Sequence, residues 1–466
     1  MKLLFISLGC DKNLVDTEEM IRLLEPQGYE LIDDAAEAEI IIVNTCCFID
    51  EAKEESISVL LEMANYKELG TCKALLVTGC LAQRYREEIF KEIPEVDAVL
   101  GTTAYEKIVP AIEKVLNGER CMEIEALDYL PEPAVDGIIH SDGHFAYLKI
   151  AEGCDKHCTY CIIPKVRGPY RSVPMEKLVA RAQTLADQGV KELILVAQET
   201  TMYGVDLYGY KCLHLLVEAL CKITEIRWIR ILYCYPEEIY EELSGVMQRE
   251  EQGCHYLDLP IPPASDAVLR RMGRRTTRAD LMAIIQNLRE RIPDIVLRTT
   301  LITGFPGETE ENHREMMEFV DQMEFEHLGV FTYSQEEGTP AASMPDQIDA
   351  EVMADWRDDL MALQQEIAFA HGENKVDTIV TAMIDEVLAD EDEDGEKQEE
   401  QEEQEKASNS GIHAYIGRTA GDAPEVDGEV YIESVKLLNP GDLVRVKITG
   451  TDEYDLIGEV VDESAE

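Results

Sequence analysis

Basic residues are in short supply. The chain carries 42 Lys and Arg against 95 Asp and Glu, a net charge of −53. A protein that grips bare nucleic acid needs lysines and arginines to displace counterions from phosphates. The balance argues against that class and accommodates a basic protein partner, or serves solubility alone. Part of the excess is local: residues 390–406 hold eleven acids and two lysines, and the remainder still carries −44. Long apolar runs are also missing. Nothing approaches the ~20 apolar residues of a membrane-spanning helix. The N-terminal run Leu3 to Leu8 is too short for a signal segment, although Leu8-Gly9-Cys10 imitates a lipoprotein cleavage site, and Asp11 and Lys12 follow at once. It reads as the buried first strand of a cytoplasmic protein with no membrane contact. An even, secretory set of cysteines is lacking as well. Thirteen cysteines without a signal segment exclude a disulfide framework and imply a reducing compartment. Seven of them (Cys47, Cys72, Cys121, Cys212, Cys221, Cys234, Cys254) read as small buried apolar residues.

The other six carry chemistry. Residues 151–171, AEGCDKHCTYCIIPKVRGPYR, place Cys154, Cys158 and Cys161 at C-x3-C-x2-C spacing behind a strand-like run. Three thiolates in one loop can hold one metal centre and leave a coordination position open. A structural zinc site is closed by four ligands, and His157 inside the loop is the candidate for a fourth. Closely spaced thiolates of this kind also hold iron–sulfur clusters.

At 466 residues the chain is long enough for two to four domains. Residues 1–117 alternate strands (2–7, 39–44, 73–78, 97–101) with helices, the pattern of a parallel sheet covered on both faces. Asp16 with Glu19 reads as the capping pair of the first helix. Cys10, Cys46 and Cys80 each follow a strand, so a parallel sheet brings them to one edge, where open α/β sheets bind ligands. Cys47 competes with Cys46, and spacing does not decide between them. Residues 118–143 read as a linker with one strand at most. Residues 144–371 contain six strand-then-helix units, a partial (β/α)6 barrel whose working residues sit at the C-terminal strand ends. Residues 372–466, interrupted by the acidic insertion 390–406, read as five short strands closing a small antiparallel β-barrel.

The C-x3-C-x2-C loop after a first strand is the signature of radical S-adenosylmethionine (SAM) enzymes. The segments SLGCDKNLVDTE, NTCCFID and TGCLAQRY resemble the N-terminal domain of the methylthiotransferases in that superfamily. The Gly9-to-Asn13 run and the Tyr415–Gly428 region resemble the branch that modifies small-subunit ribosomal protein S-twelve, and the C-terminal barrel resembles a TRAM domain. The resemblance implies two 4Fe-4S clusters. One is a radical SAM cluster on Cys154, Cys158 and Cys161, and the other an auxiliary cluster on Cys10, Cys46 and Cys80. It implies two SAM per turnover. One methylates a sulfur on the auxiliary cluster, and the other yields a 5′-deoxyadenosyl radical that takes hydrogen from an aspartate β-carbon. It further implies an electron donor such as flavodoxin or ferredoxin, with the sulfur donor unspecified. Glu199, after the second barrel strand, is expected to contact the methionine part of SAM. Arg298, inside an apolar strand, meets either a ligand carboxylate or a buried ion-pair partner. The turn from Thr303 to Glu308 is expected to bring backbone close to a ligand. One departure stands out: Pro262-Pro263 occupies the place of a Gln-His pair in the family.

Two other readings compete. A tRNA adenosine methylthiotransferase would share the mechanism, but the charge and the two branch motifs oppose it. A non-catalytic iron–sulfur protein binding ribosomes, or an assembly factor, would fit the acidity but not the barrel strand-end motifs. The C-terminal region 411–466, with four basic and thirteen acidic residues, suits a basic protein better than RNA.

Overall fold

The computed structural model describes residues 1–131, 143–388 and 412–461. The acidic insertion 390–406 and residues 132–142 of the expected linker lie outside the described residues.

The first sheet has six parallel strands in the order Glu30–Leu31, Lys2–Ser7, Ile40–Thr45, Ala74–Thr78, Ala98–Leu100, Cys121–Glu123. Ile40–Thr45 is buried at every position, as a central strand covered on both faces must be. Helices Asp11–Leu24, Asp50–Leu69, Gly79–Glu92 and Ile108–Leu116 supply the cover and create one apolar core on each side. Each fully buried Ile, Leu or Val in these layers contributes about 1.5–3 kcal/mol. Two short edge strands, Glu30–Leu31 and Cys121–Glu123, carry little periodicity and were not separable from loop by pattern. The second extends this sheet past residue 117.

The central sheet adds its six strands in chain order, all parallel, from Phe145–Lys149 to His327–Thr332. It curves without closing, and its outer face carries the helices. Strand Val296–Thr303 alternates in burial along its length. Leu297, Thr299, Leu301 and Thr303 are buried, and Val296, Arg298, Thr300 and Ile302 lie on the other, concave face. Helix Ala350–Lys375 runs 26 residues, past the expected domain boundary at 371, and leads into the last domain.

That domain is a closed barrel of five strands: Ile379–Val387, His413–Thr419, Val430–Ser434, Asp455–Val460 and Leu443–Asp452. Its pairs are antiparallel except Val430–Ser434 with Asp455–Val460, which run parallel. The barrel does not hang free. Its loop 419–427 lies against the concave face of the central sheet. The Glu192 carboxylate, wholly buried, accepts from Arg230 Nε at 2.8 Å and from Arg418. Arg230 donates onward to the Ala420 carbonyl at 2.9 Å. Tyr256 donates to Asp427 at 2.7 Å, and His327 sits 3.0 Å from the Gly421 carbonyl and 3.2 Å from Asp422.

Candidate functional site

Strands Lys2–Ser7, Ile40–Thr45 and Ala74–Thr78 are neighbours, so the residues that follow them share one sheet edge. Cys10 caps helix Asp11–Leu24, Cys46 directly follows its strand, and Cys80 is the second residue of helix Gly79–Glu92. Glycine makes the approach possible. Gly9 has φ +91°, and a Cβ there would stand 2.6 Å from the Cys46 Cβ. Gly79 has φ +90°, and its Cβ would stand 2.3 Å from Asn44 Oδ1. Asn13 ties the loops together: its Nδ2 donates to the Leu8 carbonyl at 2.8 Å and to the Thr45 carbonyl at 3.0 Å. Cys10 is exposed, whereas Cys46 and Cys80 are buried. Burial pushes the Cys46 thiol up to about 12, and the Cys80 and Cys10 thiols nearby push the same way. Cys47 is fully enclosed in the apolar core below.

The second triad lies at the end of strand Phe145–Lys149. Gly153, at φ +82°, is pressed against the returning chain, where a Cβ would meet the Pro169 carbonyl at 2.1 Å. The loop is pinned by Cys154 N–H to the Gly168 carbonyl at 3.2 Å and Thr159 N–H to the Met272 carbonyl at 3.0 Å. Cys154 and Cys158 are buried and Cys161 half-buried. Burial raises the Cys154 thiol to about 12. Among the described residues no three such side chains lie close enough to ligate a single metal ion. A four-iron cluster makes a different demand, because each thiolate takes its own iron.

Beside Cys158 opens a cavity of about 430 Å³, whose walls include Tyr170, Glu199, Met202, Asp206 and Arg274. That volume falls within the range of small-molecule sites. Two of its polar groups are only partly satisfied, and the Nη2 of one of them, Arg274, donates to Glu237 at 3.2 Å. Glu199 Oε1 accepts from Thr201, but Oε2 accepts no hydrogen bond and faces Lys156 at 3.8 Å. Burial lifts the Glu199 carboxyl to about 7. Arg274 stacks 4.3 Å from the Tyr235 ring centre, with Nε and Nη1 finding no acceptor. Buried groups left in this state fit a ligand that carries both an ammonium and a carboxylate. SAM does.

The two triads are joined by a buried charge network. Arg167, six residues after Cys161, donates to Cys80 Sγ at 3.3 Å, Asp16 at 2.6 Å, Glu152 at 3.2 Å and Asn13 Oδ1. Lys149 also pairs with Asp16 and, at 2.9 Å, with Glu152. Gln198 donates to Glu152 at 2.7 Å. Burial alone would raise the Glu152 carboxyl, and the Lys149 and Arg167 cations overcome it and hold it low. Asp16 is therefore not the helix cap expected from its spacing to Glu19. It lies inside the helix and serves this network instead.

Comparison with known proteins agrees with these motifs over the whole length. The chain is 56% identical over 458 residues to the ribosomal protein uS12 methylthiotransferase RimO of Lachnoclostridium phytofermentans, covering 98% of this chain and 99% of that one. The protein of the same name from Acetivibrio thermocellus is 46% identical over 470 residues, covering 99% and 98%. The chain belongs to the uS12 methylthiotransferase family. Family models match in three blocks: "Uncharacterized protein family UPF0004" at residues 2–101, the radical SAM superfamily at 148–320 and a TRAM domain at 401–461. As a radical SAM methylthiotransferase it uses an iron–sulfur cluster and SAM. Among solved structures it is similar in fold to the radical SAM methyltransferase TsrM of Kitasatospora setae, with TM-score 0.53, 14% identity and 73% of each chain covered.

Within this methylthiotransferase Glu199 reaches the cavity and Arg298 does not. Arg298 Nε donates to Asp427 at 3.1 Å, and Nη1 reaches Asp258 and Thr300 at 3.4 and 3.3 Å. The carboxylates that an arginine in an apolar strand requires are the chain's own. The Thr303-to-Glu308 turn folds back on itself, with Thr303 Oγ1 and Glu308 Oε1 buried without a hydrogen-bond partner. Glu308 Oε2 accepts from the N–H groups of Gly304 and Phe305 at 2.8 and 3.0 Å, and the open sides of Gly304 and Gly307 face Met353 and Arg271. Pro262-Pro263 is buried at the end of strand Gly253–Pro260, where the Pro262 carbonyl accepts from Ile302 at 2.7 Å. Sequence reading passed over Arg167, Glu152, Lys149 and Arg274. The signal existed for the first three: charged residues inside or beside a buried strand and cysteine loop must be paired.

Proposed function

We propose that this methylthiotransferase acts on the β-carbon of an aspartate in ribosomal protein uS12. We assign Cys154, Cys158 and Cys161 to a radical SAM 4Fe-4S cluster and Cys10, Cys46 and Cys80 to an auxiliary 4Fe-4S cluster. When bound, the clusters and SAM supply the radical that opens an unreactive C–H bond and the methylated sulfur that replaces the hydrogen. Two SAM are used per turnover, and an external donor such as flavodoxin or ferredoxin provides electrons.

The protein's own part is positioning. Glu199 Oε2 would receive the SAM ammonium, and the free Nε–H and Nη1–H of Arg274 would receive its carboxylate. Met202 and the Tyr170 ring form part of the wall. Gly9, Gly79 and Asn13 bring the three auxiliary loops together at one sheet edge. The strongly acidic C-terminal barrel suits a basic ribosomal protein and disfavours tRNA. The observation that carries the reading is the arrangement of two separate cysteine triads on facing domains, with the Glu199–Arg274 cavity opening beside one of them.

The test is anaerobic reconstitution, then reaction with SAM and dithionite in the presence of purified uS12 and total tRNA, both analysed by mass spectrometry. One methylthio group on uS12, lost in Cys10→Ala and Cys158→Ala, is the expected result. Modified tRNA beside unmodified uS12 would overturn the substrate. Absence of 5′-deoxyadenosine would favour a non-catalytic iron–sulfur protein.

A further inference from the structure

Every nitrogen of the Arg167 side chain is committed, and three of the four groups they meet belong to the first domain. Nε–H points at Cys80 Sγ, 3.3 Å away, from the first domain. Nη1 meets Asp16 of the first domain and Glu152 of the second, and Nη2 meets the Asn13 amide oxygen. The residue itself comes from the loop of the other cysteine triad, at the end of the short helix Ile163–Val166, its N–H bonded to the Ile163 carbonyl at 2.7 Å. It is almost wholly shielded from water. With Lys149 it forms a network of two cations and two carboxylates, so the guanidinium charge is balanced and fixed in place.

From this geometry we infer that Arg167 is a positioning residue for the auxiliary centre and sets its reduction potential upward. The inference rests on the assignment of Cys80 to that centre. A hydrogen bond and a cation at a ligand sulfur withdraw charge from it and favour the more negative, reduced state; hydrogen bonds to the sulfurs are among the main determinants of cluster potential. The direction suits the reaction. Transfer of a methylthio group held at that centre to a substrate carbon radical would leave one electron on the centre, since the new C–S bond takes one electron from the carbon and one from the sulfur. A centre held at higher potential accepts it more readily. Arg167 also makes this property depend on the second triad's loop, because that loop must be folded for the guanidinium to reach Cys80.

The test is an EPR-monitored redox titration of the full chain, reconstituted anaerobically in a Cys154/Cys158/Cys161→Ala background so that only the auxiliary centre is read. Arg167→Lys keeps the charge but cannot meet sulfur, carboxylate and amide together. The double variant Arg167→Gln with Glu152→Gln keeps the buried network neutral and protects the fold. The expected result is full auxiliary iron in at least one variant, with a midpoint lower by about 59 mV, the one-electron equivalent of a tenfold loss of preference for the reduced form. An unchanged midpoint at full iron overturns the inference and leaves the cluster assignment standing. Loss of the iron in both variants reduces Arg167 to a structural role and overturns it too. If Cys80→Ala in the same background retains all its iron, the assignment of Cys80 fails and the inference with it.

Discussion

The joint between the central sheet and the C-terminal barrel turns on one carboxylate, and Glu192→Gln tests it. Glu192 is fully buried and stands between two arginines, Arg230 on strand Trp228–Ile231 and Arg418 on strand His413–Thr419. The two cations outweigh the burial that would raise this carboxyl, and they hold it low. Glutamine keeps the shape and one acceptor oxygen. Its amide N–H groups, however, face a guanidinium that has only donors, and two buried cations lose their shared anion. Breaking a buried pair in this way costs about 3–5 kcal/mol. At 1.4 kcal/mol per decade, the docked-to-undocked ratio of the barrel falls by roughly 10²- to 10⁴-fold. A three-domain chain has no single unfolding free energy, so the measurement is local: hydrogen exchange of His413–Thr419 amides, with proteolysis near residue 376 as a second readout. Faster exchange confined to the barrel and its docking loop is expected. The triple replacement Glu192→Leu, Arg230→Met, Arg418→Met should recover most of the protection, since apolar groups of similar volume substitute well for a buried ion cluster. Wild-type exchange in Glu192→Gln would refute the reasoning. A triple variant as labile as the single one would show that shape rather than charge holds the joint.

Gly79→Ala and Gly153→Ala should each remove one cluster and spare the other. Their positive φ values and the 2.3 and 2.1 Å contacts of an added Cβ displace the Cys80 and Cys154 loops respectively, and iron analysis should find about half the wild-type content in each. SAM affinity should rise from pH 6 to pH 8, because the Glu199 carboxyl, lifted to about 7 by burial, must be ionised to hold an ammonium. The rise is at most tenfold per pH unit, and isothermal titration should find weaker, pH-independent binding in Glu199→Gln. Asp427→Asn removes the negative charge, and one of the two acceptor oxygens, that Tyr256 and Arg298 share, at a cost of about 3 kcal/mol. Burial lowers the His327 pKa, but Asp427 and then Asp422 raise it past its ordinary value, so in Asp427→Asn the imidazole should titrate lower by NMR. A double-mutant cycle of Asp427→Asn with Tyr256→Phe should be non-additive.

Most of the fold could be read from the chain because its strands are buried on both faces and its helices repeat at regular spacing. Strand Lys2–Ser7 appears with the expected bounds. The placement of Cys10, Cys46 and Cys80 on one edge was legible for a simpler reason: each follows a strand within three residues, and parallel strands order their ends. Three things were not legible. The edge strand Cys121–Glu123 is too short to show a period. The partner of Arg298 lies 129 residues away, in another domain, and local pattern holds no trace of it. Asp16 carries a local signal that pointed the wrong way: an acid three residues before a glutamate looks like a cap, and only the approach of Lys149 and Arg167 in space gives it another task.

The plug formed by loop 419–427 also sets a timetable for the protein's birth. Arg230 waits for the Ala420 carbonyl, 190 residues later in the chain, and at 5–20 residues per second that interval lasts roughly 10–40 s. Through it Arg230 lacks the Ala420 carbonyl, Tyr256 and Arg298 lack Asp427, and His327 lacks the Gly421 carbonyl. The concave side of the central domain therefore stays wet and open on the nascent chain, and closes only after both cysteine loops have long emerged. Maturation of this enzyme ends from its tail, and a chain interrupted before residue 419 leaves its centre solvated.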